Sequence, residues 1–253
     1  MPNDKKISQA AELIKRARHA VALTGAGIST HSGIPDFRSP GSGLWEKVDP
    51  MSVASIWGFT EHPQGFYDWV EPLAKLVIAA QPNPAHLALA GLEAMGRLHV
   101  VITQNIDNLH QRAGSKRVLE VHGHMREATC IRCFNLVPAQ SLIEKFLTDG
   151  TIPTCDVCGG VMKPNFILFG EVPPVSVMFE AEQESRQCDV MLIAGSSLEV
   201  VPAADLPLVA KKSGAKLIIV NKTPTPLDRY ATVVLREDVV VALPRIVEGV
   251  RRG

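Results

Sequence analysis

HAVALTGAGIS, residues His19 to Ser29, is the segment that most strongly indicates the architecture. His19 to Thr24 is a short aliphatic run, which is typical of a strand buried on both faces of a parallel sheet. The run leads directly into a turn with glycines at Gly25 and Gly27. A strand, a glycine-rich turn and then a helix form a cradle for phosphate groups, so this segment predicts a nucleotide site.

The rest of the chain repeats the strand pattern and places helical patterns around it. The aliphatic runs are His99–Thr103, Val190–Ala194, Lys216–Val220 and Thr232–Leu235. Apolar residues at helical spacing predict helices over Ile7–Ala17, Ala85–Met95, Pro202–Ser213 and Leu243–Val250. Strands that alternate with helices predict an α/β fold, here a Rossmann-like, doubly wound parallel sheet.

Two regions interrupt this alternation and predict a smaller second domain. Ser39 to Pro82 is rich in Trp, Phe, Pro and Gly and is read as a helical insertion, whereas Thr129 to Pro164 contains paired cysteines. We therefore expect a Rossmann-like domain built from residues 1–38, 83–128 and 165–253. Residues 39–82 and 129–164 are expected to form the second domain, which combines helices with a zinc ribbon.

The paired cysteines have the spacing of a zinc site. Cys130 and Cys133 form one Cys-x-x-Cys pair, Cys155 and Cys158 form another, and 21 residues separate the pairs. Four thiolates fill a tetrahedral coordination shell and leave no position for a reactive water, so the predicted zinc is structural. A redox dithiol is the alternative, and two pairs in one module disfavour it. The fifth cysteine, Cys188, is interpreted as a core thiol.

Composition excludes several classes of function. The 253 residues include 26 basic and 26 acidic side chains, and this balance argues against nucleic-acid binding and against a polybasic membrane anchor. No apolar stretch is long enough for a membrane helix, and the first 18 residues lack the apolar core of a secretory signal. Cysteines in metal spacing favour a reducing compartment, so a cytoplasmic location is expected.

The glycine turn alone is weak evidence for a dinucleotide. Thr30 occupies the position of the third fingerprint glycine, and the next glycine is Gly33. The following loop, SGIPDFR, ends in Phe37 and Arg38. Such a loop can fold over a nucleotide, with Phe37 on the reactive ring and Arg38 near phosphate. The alternative is a surface loop whose phenylalanine packs into the core.

A polar run, TQNIDNLH, follows the second strand directly over Thr103–His110. The carboxyl ends of strands face the ligand in open α/β sheets, and polar side chains there are costly unless they bind something. Gln104 and Asn105 are candidates for ribose hydroxyls or a water, and Asp107 is a candidate for a carboxamide. Helix capping explains Asn105 or Asp107 alone but not the whole run.

One histidine is the leading candidate for a general base. His122 precedes a glycine between the polar run and the zinc module, and an imidazole titrates near neutral pH. His110 and His124 are its rivals, whereas His31 and His86 are interpreted as a loop residue and a helix-start residue.

The second half of the chain adds further candidates. Gly195 with Ser196, and Asn221, come at strand ends and are candidates for nucleotide contacts. The segment Phe169-Gly170-Glu171 ends an extended run and offers an edge for a peptide strand, with an ordinary buried strand as the alternative.

Taken in order, these segments resemble the sirtuins, the NAD-dependent protein deacylases. The matching motifs are GAGIS from Gly25, SGIPDFR from Ser32, TQNID from Thr103, LHQRAGS from Leu109, LEVHG from Leu119, the paired cysteines, FGE from Phe169, GSSL from Gly195 and VPAA from Val201. The likeness runs from about residue 11 to about residue 250.

The resemblance implies that NAD, a consumed co-substrate, lies between the large domain and the zinc domain. The matching cofactor contacts are Gly25, Ala26, Gly27, Thr30, Phe37, Arg38, Gln104, Asn105, Ile106 and Asp107, with Gly195, Ser196, Asn221, Lys222 and Val239 on the adenosine side. In the implied reaction the acyl oxygen of a modified lysine attacks the ribose carbon, nicotinamide leaves, and an alkylamidate forms. His122 then deprotonates a ribose hydroxyl, and O-acyl-ADP-ribose and free lysine result. Asn105 is implied to assist catalysis.

The resemblance also implies the partner, an acetylated lysine in a protein or peptide. The peptide strand is expected between Phe169-Gly170-Glu171 and the segment around Val200, and the enzyme is expected to be a monomer. Relatives that prefer acidic acyl groups carry Tyr-x-x-Arg, whereas this chain has Tyr67 followed by Val70 at the arginine position. An acidic acyl group would lack its bidentate partner, so acetyl-lysine is expected over succinyl-lysine.

Four alternatives remain beside this expectation. A deacylase for longer apolar acyl groups and a protein mono-ADP-ribosyltransferase would use the same glycosyl chemistry. An NAD-dependent oxidoreductase would use the same nucleotide site, but it should carry the third glycine. A non-enzymatic zinc-ribbon adaptor would not need the polar strand ends.

Overall fold

A computed structural model describes residues 2–36 and 48–252 of the chain. The chain divides into two compact units. The larger comprises Met1–Asp36, Gln81–Val121 and Pro174–Gly253, and the smaller comprises Phe37–Ala80 and His122–Pro173.

The larger unit is built on a six-stranded sheet in which every neighbouring pair is parallel. Its strands are β1 (Ala20–Thr24), β2 (Val100–Thr103), β3 (Val118–Glu120), β7 (Val190–Ala194), β8 (Lys216–Val220) and β9 (Val233–Leu235). Their order across the sheet is β3-β2-β1-β7-β8-β9. The chain proceeds from β1 through β2 to β3 on one side and from β7 through β8 to β9 on the other, so the strand order reverses between β1 and β7. Open α/β sheets bind ligands at such a switch point.

Helices cover both faces of this sheet. They are α1 (Pro2–Arg16), α5 (Pro84–Ala94), α6 (Leu109–Arg112), α8 (Val175–Gln187), α9 (Leu206–Lys212) and α10 (Val239–Arg251). Successive side chains of β1 alternate between two cores. Ala20 and Ala22 pack with α1, α5 and α10, whereas Val21 and Leu23 pack with α8 and α9. This arrangement confirms the predicted doubly wound fold, and Cys188 is a buried member of the second core.

In its described residues, the smaller unit combines α-helices with a three-stranded antiparallel sheet. The helices are α2 (Pro50–Val53), α3 (Ile56–Glu61), α4 (Pro63–Ala79) and α7 (Gln140–Asp149), and the strands are β4 (Gly123–Cys130), β5 (Leu136–Pro138) and β6 (Met162–Phe166), in the order β5-β4-β6. Aromatic rings fill its interior. Phe66 meets Phe59 and Tyr67 edge to face, with ring centroids 4.9 and 5.2 Å apart.

The segment after the glycine turn is not the predicted helix. It forms two short 3-10 turns, Ala26–Ile28 and Thr30–Ser32. Gly33, at φ 88°, ends the second turn in the left-handed conformation. Pro35 follows two residues later and favours an extended residue before it, so the local sequence does not sustain an α-helix. The predicted helix 202–213 likewise begins as a 3-10 turn, Ala203–Asp205, and only then becomes α9.

The chain passes from one compact unit to the other close to, but not at, the expected domain boundaries. The expected boundaries followed residues 38, 82, 128 and 164, whereas the compact units change after residues 36, 80, 121 and 173. The last two differ most. β4 pairs with β6 from Gly123 onward, and the amides of Ile167 and Phe169 donate to the carbonyls of His122 and Ala54, so these segments are bound within the smaller unit. Among the helices of the described residues, none has the length and apolar character that crossing a membrane requires.

Candidate active site

The turns that follow β1 and β7 approach each other at backbone distance. The amide of Gly27 donates to the carbonyl of Gly195 over 2.9 Å. A Cβ on Gly27 would lie 2.9 Å from that same oxygen, and a Cβ on Gly195, which has φ 62°, would lie 2.3 Å from the nitrogen of Ile28. Side chains are excluded at both positions, so these turns form a backbone cradle of the kind that a pyrophosphate requires.

A buried polar cluster lies beside this cradle, where β1 and β2 end. The Ser29 hydroxyl donates to Oδ2 of Asp107 over 2.6 Å. The Asn105 side-chain amide donates to the Gly25 carbonyl and to Oγ of Ser29, both over 3.2 Å. Both amide protons of Asn105 are thereby used. Within the described residues its Oδ1 accepts no hydrogen bond, which leaves this atom available for a ligand hydroxyl or a water.

His86 supports the same cluster in a neutral form. Its Nδ1 accepts from the Asn83 amide, so its proton is on Nε2, which lies 3.4 Å from Oγ of Ser29. Burial lowers the pKa of His86 to about 4, although the nearby Asp107 opposes that shift. The sequence interpretation of His86 as a helix-start residue is confirmed by its capping box with Asn83. Its contact with Ser29 was not predicted, since 57 residues separate the two.

Gln104 connects β2 to the turn after β7. Its Nε2 donates to Oγ of Ser196 over 3.0 Å, and Ser196 in turn accepts from the Leu198 amide. Ala26, Thr30 and Ile106 are half-buried around the same turns, and the Thr30 hydroxyl donates to the Gly27 carbonyl. Phe37 and Arg38, also predicted to contact the cofactor, lie outside the described residues.

The predicted adenosine-side residues are placed after β8 and at the start of α10. The Asn221 amide group donates to Thr223, to the carbonyl over 2.9 Å and to Oγ1 over 3.1 Å. Lys222 and His31 both contact Oδ2 of Asp238, each over 2.6 Å. Burial raises the pKa of Asp238, but hydrogen bonds with Lys222, His31 and the Val240 amide hold it below its usual value. Val239 packs its side chain into the core, so only its backbone is available to a ligand.

His122 immediately precedes β4 in the smaller unit. Its carbonyl accepts from the Ile167 amide over 2.8 Å. Gly123 follows with φ 74°, and a Cβ there would lie 2.1 Å from the carbonyl oxygen of Asn165. Glycine therefore permits β4 to begin directly against β6, and this close approach fixes the backbone that carries the His122 imidazole.

The predicted peptide segment is anchored at several points in the smaller unit. Phe169 pairs with Ser55 in a parallel bridge, and Oε2 of Glu171 accepts from the Leu168 amide and lies 3.0 Å from Nζ of Lys163. Gly170 is exposed at φ 88° and lies against the indole of Trp57. Val200, predicted to line the other side of the peptide, belongs to the larger unit and is half-buried.

Tyr67 and Val70 face an apolar cavity inside the smaller unit. The Tyr67 hydroxyl donates to the Met162 carbonyl over 2.5 Å, and burial raises the pKa of this phenol. The cavity is lined further by apolar groups of α4, β4 and α7, including Ala74, Met125 and Phe146. Among its lining residues none carries a charge, and its volume of about 30 Å³ is far below the roughly 150 Å³ that holds a benzene ring, so it is a gap in the apolar packing.

The four paired cysteines converge at one point of the smaller unit. All four Sγ atoms lie within 4.8 Å of one another, with Cys130 and Cys158 3.5 Å apart and Cys133 and Cys155 3.6 Å apart. Zn–S bonds of about 2.3 Å in a tetrahedron place sulfur atoms about 3.8 Å apart, so the cluster fits zinc. A Cβ on Gly160 would lie 2.8 Å from Sγ of Cys130, which explains a glycine beside the second pair.

Comparisons with known proteins agree with this geometry. The pattern of the Sir2 family matches residues 25–202. An NAD-dependent protein deacylase 2 of Archaeoglobus fulgidus is 48% identical over 98% of both chains. An NAD-dependent protein deacetylase of Sulfurisphaera tokodaii is 45% identical over 95% of this chain and 94% of its own length. A solved structure described as Sir2, p53 peptide and NAD⁺ superimposes with a TM-score of 0.88 at 42% identity, covering 97% of this chain and 98% of that one. The chain therefore belongs to the Sir2 family.

Proposed function

We propose that this chain is an NAD-dependent protein lysine deacetylase, which transfers the acetyl group of a modified lysine to the ADP-ribose of NAD and releases nicotinamide. The buried cluster of Ser29, Asn105 and Asp107 carries the proposal. It places a carboxylate and an amide oxygen at the carboxyl ends of the neighbouring strands β1 and β2, beside a backbone cradle for a pyrophosphate. Relatives of this chain bear the names of NAD-dependent deacylases and deacetylases.

Each residue of the cluster has a distinct role in the proposal. Asp107 and Ile106 hold the carboxamide of the nicotinamide, because a carboxylate that already accepts from Ser29 and from the Leu109 amide still has lone pairs to offer. Asn105 and Gln104 address the nicotinamide ribose. Gly25, Ala26, Gly27 and Thr30 are proposed to contact the phosphates. Phe37 is proposed to shield the reactive ring, with Arg38 near phosphate. Gly195, Ser196, Asn221, Lys222 and Val239 are proposed to contact the adenosine half.

His122 is the general base of the proposed reaction. After nicotinamide has left, a ribose hydroxyl must lose a proton before it attacks the acyl carbon, and an imidazole suits this transfer near neutral pH. The fixed backbone around Gly123 supports the role because a general base must be held in position. The four cysteines bind a structural zinc, which stabilises the smaller unit and takes no part in the chemistry.

The proposed substrate is an extended peptide that carries acetyl-lysine. Phe169, Gly170, Glu171 and Val200 are the proposed peptide contacts, and the peptide is proposed to bind as an added strand. The balanced charge of the chain supports action on protein without nucleic acid or membrane, and we propose a monomer in the reducing cytoplasm.

A second candidate activity is the removal of longer apolar acyl groups. It is favoured by a solved structure described as Sir2Af2 bound to a myristoylated histone peptide, which superimposes with a TM-score of 0.85 at 43% identity and covers 98% of both chains. Val70 stands at the position where an arginine would bind an acidic acyl group. We therefore expect slow removal of succinyl groups under either candidate activity, deacetylation or removal of longer apolar acyl groups.

Mass spectrometry of the products tests the proposal. The protein is mixed with NAD and one peptide in its acetyl, myristoyl and succinyl forms, and nicotinamide, O-acyl-ADP-ribose and free peptide are quantified. We expect equal amounts of the three products from the acetyl peptide and the slowest turnover with the succinyl peptide. Formation of NADH, transfer of labelled ADP-ribose to protein, or fastest turnover with the succinyl peptide would overturn it.

A further inference from the structure

A buried row of polar side chains runs behind the candidate active site in the larger unit. Thr24 and Thr103 end β1 and β2 in register with each other, and their hydroxyl oxygens are 2.9 Å apart. On the far side of Thr24, Nε2 of His110 lies 2.9 Å from the same hydroxyl. All three side chains are buried, and His110 is 1% exposed. The reaction proposed above assigns none of them a role.

With Thr24 as the donor to Thr103, these hydrogen bonds place the proton of His110 on Nε2. The Thr24 hydroxyl donates to Thr103, so its single proton is used and it can only accept from the imidazole. His110 must therefore carry its proton on Nε2. Its Nδ1 is buried and has no hydrogen-bond partner among the described residues. The opposite direction would place an N–H at Nδ1, where the described residues offer no acceptor.

The environment keeps this imidazole neutral. Burial, and to a lesser extent the neighbouring His86, lower the pKa of His110 to about 3. The two rings meet edge to face with centroids 5.0 Å apart. His110 is also held in place by its own helix, because the Leu109 amide donates to Oδ1 of Asp107 over 2.9 Å.

The row ends at Asn105, the residue whose side-chain oxygen, Oδ1, is available to a ligand. Oγ1 of Thr103 accepts from the Asn105 backbone amide over 3.1 Å. The Asn105 side-chain amide is held separately by Gly25 and Ser29. Thr103 thus fixes the backbone of Asn105. The Thr103 hydroxyl is oriented by the Thr24 hydroxyl, and His110 orients the Thr24 hydroxyl in turn.

We propose that His110 is a positioning residue, which holds Asn105 in its ligand-binding geometry through the hydroxyls of Thr24 and Thr103. The inference rests on the proposed function, in which Asn105 contacts the ribose or a catalytic water. His110 itself touches no reacting atom. Its contribution is a single N–H donor at one end of a buried relay, so a side chain that restores that donor should restore the effect.

Two matched pairs of variants test the role in catalysis. Thr24→Val removes the hydroxyl and keeps the shape, whereas Thr24→Ser keeps the hydroxyl. His110→Gln places an amide N–H close to the position of Nε2, whereas His110→Asn is too short to reach Thr24. We expect Thr24→Val and His110→Asn to lower kcat for nicotinamide release about 10- to 100-fold, because a displacement on the order of 1 Å is enough for such a loss. The KM of the acetylated peptide should stay unchanged, and Thr24→Ser and His110→Gln should retain most of kcat.

Nitrogen NMR of the histidine rings tests the relay without using activity. His110, assigned by comparison with His110→Gln, should show a protonated Nε2 and an unprotonated Nδ1 at every pH from 5 to 8. A protonated Nδ1, or titration within that range, would overturn the relay. Full kcat in a folded Thr24→Val or His110→Asn variant would overturn the positioning role. A wild-type protein that consumes no NAD would instead refute the proposed function, while the NMR result would still decide the relay.

Discussion

Ser29 and Asp107 are joined by a 2.6 Å hydrogen bond between a hydroxyl and a carboxylate, although 78 residues separate them in the chain. Ser29 follows β1 and Asp107 follows β2, and the two strands are parallel neighbours. Parallel pairing therefore brings the GAGIS and TQNID segments to the same edge of the sheet. A hydrogen bond to an ionised acceptor in a buried site is stronger than one between neutral groups, so this contact orders both segments together.

Substitution of Asp107 should impair the use of NAD. Asp107→Asn keeps the shape of the side chain but removes the carboxylate that accepts hydrogen bonds from the Ser29 hydroxyl and the Leu109 amide. We expect kcat/KM for NAD to fall about 100-fold, since a charge-assisted contact of roughly 3 kcal/mol is lost. Nicotinamide release measured against NAD concentration checks the effect, and Ser29→Ala should cause a smaller loss in the same direction. An Asp107→Asn enzyme within threefold of wild type would contradict the assignment.

Acid should destabilise the protein through its buried histidines. The folded-state pKa values of His86 and His110 are lowered to about 4 and 3, below the ordinary value of 6.5. The unfolded chain therefore binds more protons than the folded one between these limits. The stabilisation is fully present above pH 6.5 and is lost as the pH falls toward the folded values, by about 1.4 kcal/mol per pH unit for each histidine.

Urea unfolding between pH 4.5 and 6 measures this dependence. His110→Gln removes one of the two groups, so the slope of unfolding free energy against pH should become shallower by about one proton. His99→Gln is the matched control because His99 is exposed in the same unit. An unchanged slope in His110→Gln would show that His110 titrates normally in the folded protein.

Loss of zinc should unfold the smaller unit first. Cys155→Ser removes one thiolate of the four, and the free energy of metal binding is coupled to folding in small metal modules. We expect bound zinc to fall from one equivalent to nearly none, with loss of deacetylation and a lower Tm. Cys188→Ser is the control, because Cys188 is a core thiol of the larger unit. We expect this variant to keep its full equivalent of zinc. Retention of a full equivalent of zinc by Cys155→Ser would contradict the site.

Gly170 should control peptide binding. Alanine there would place a Cβ 2.5 Å from the Trp57 indole, at a φ of 88° that side chains rarely adopt. We expect Gly170→Ala to raise the KM of the acetylated peptide about tenfold and to leave the KM of NAD unchanged. In the double variant with Trp57→Ala the steric conflict is removed, so part of the effect should be recovered. A rise in the KM of NAD of equal size would argue against a peptide-specific role.

The sequence predicted the sheet well because its signals are local. The runs Val190–Ala194 and Lys216–Val220 match β7 and β8, since strands buried on both faces need continuous aliphatic residues. The cysteine cluster was predicted for a similar reason, as metal ligands follow fixed spacings. The pattern of strand and glycine turn predicts a helix after Gly25, but the structure has two 3-10 turns there. Gly33 and Pro35 end these turns before an α-helix can form.

The contacts inside the site were less predictable because they depend on pairing between distant segments. Sequence reasoning interprets His86 as a helix-start residue and His110 as a rival base, and no local pattern indicates that both rings are buried side by side. Thr24 was placed in a strand without a role. The polar character of Thr24, at the end of an otherwise aliphatic strand, was the one local signal of the relay.

The most direct test of the central claim is product formation by His122→Ala, measured by mass spectrometry with NAD and an acetylated peptide. The account predicts that O-acetyl-ADP-ribose formation falls by at least about 100-fold, the usual contribution of a general base, while NAD binding and the zinc equivalent stay at wild-type levels. His124→Ala, which changes the neighbouring histidine, should retain activity. Wild-type product formation by His122→Ala would contradict the account.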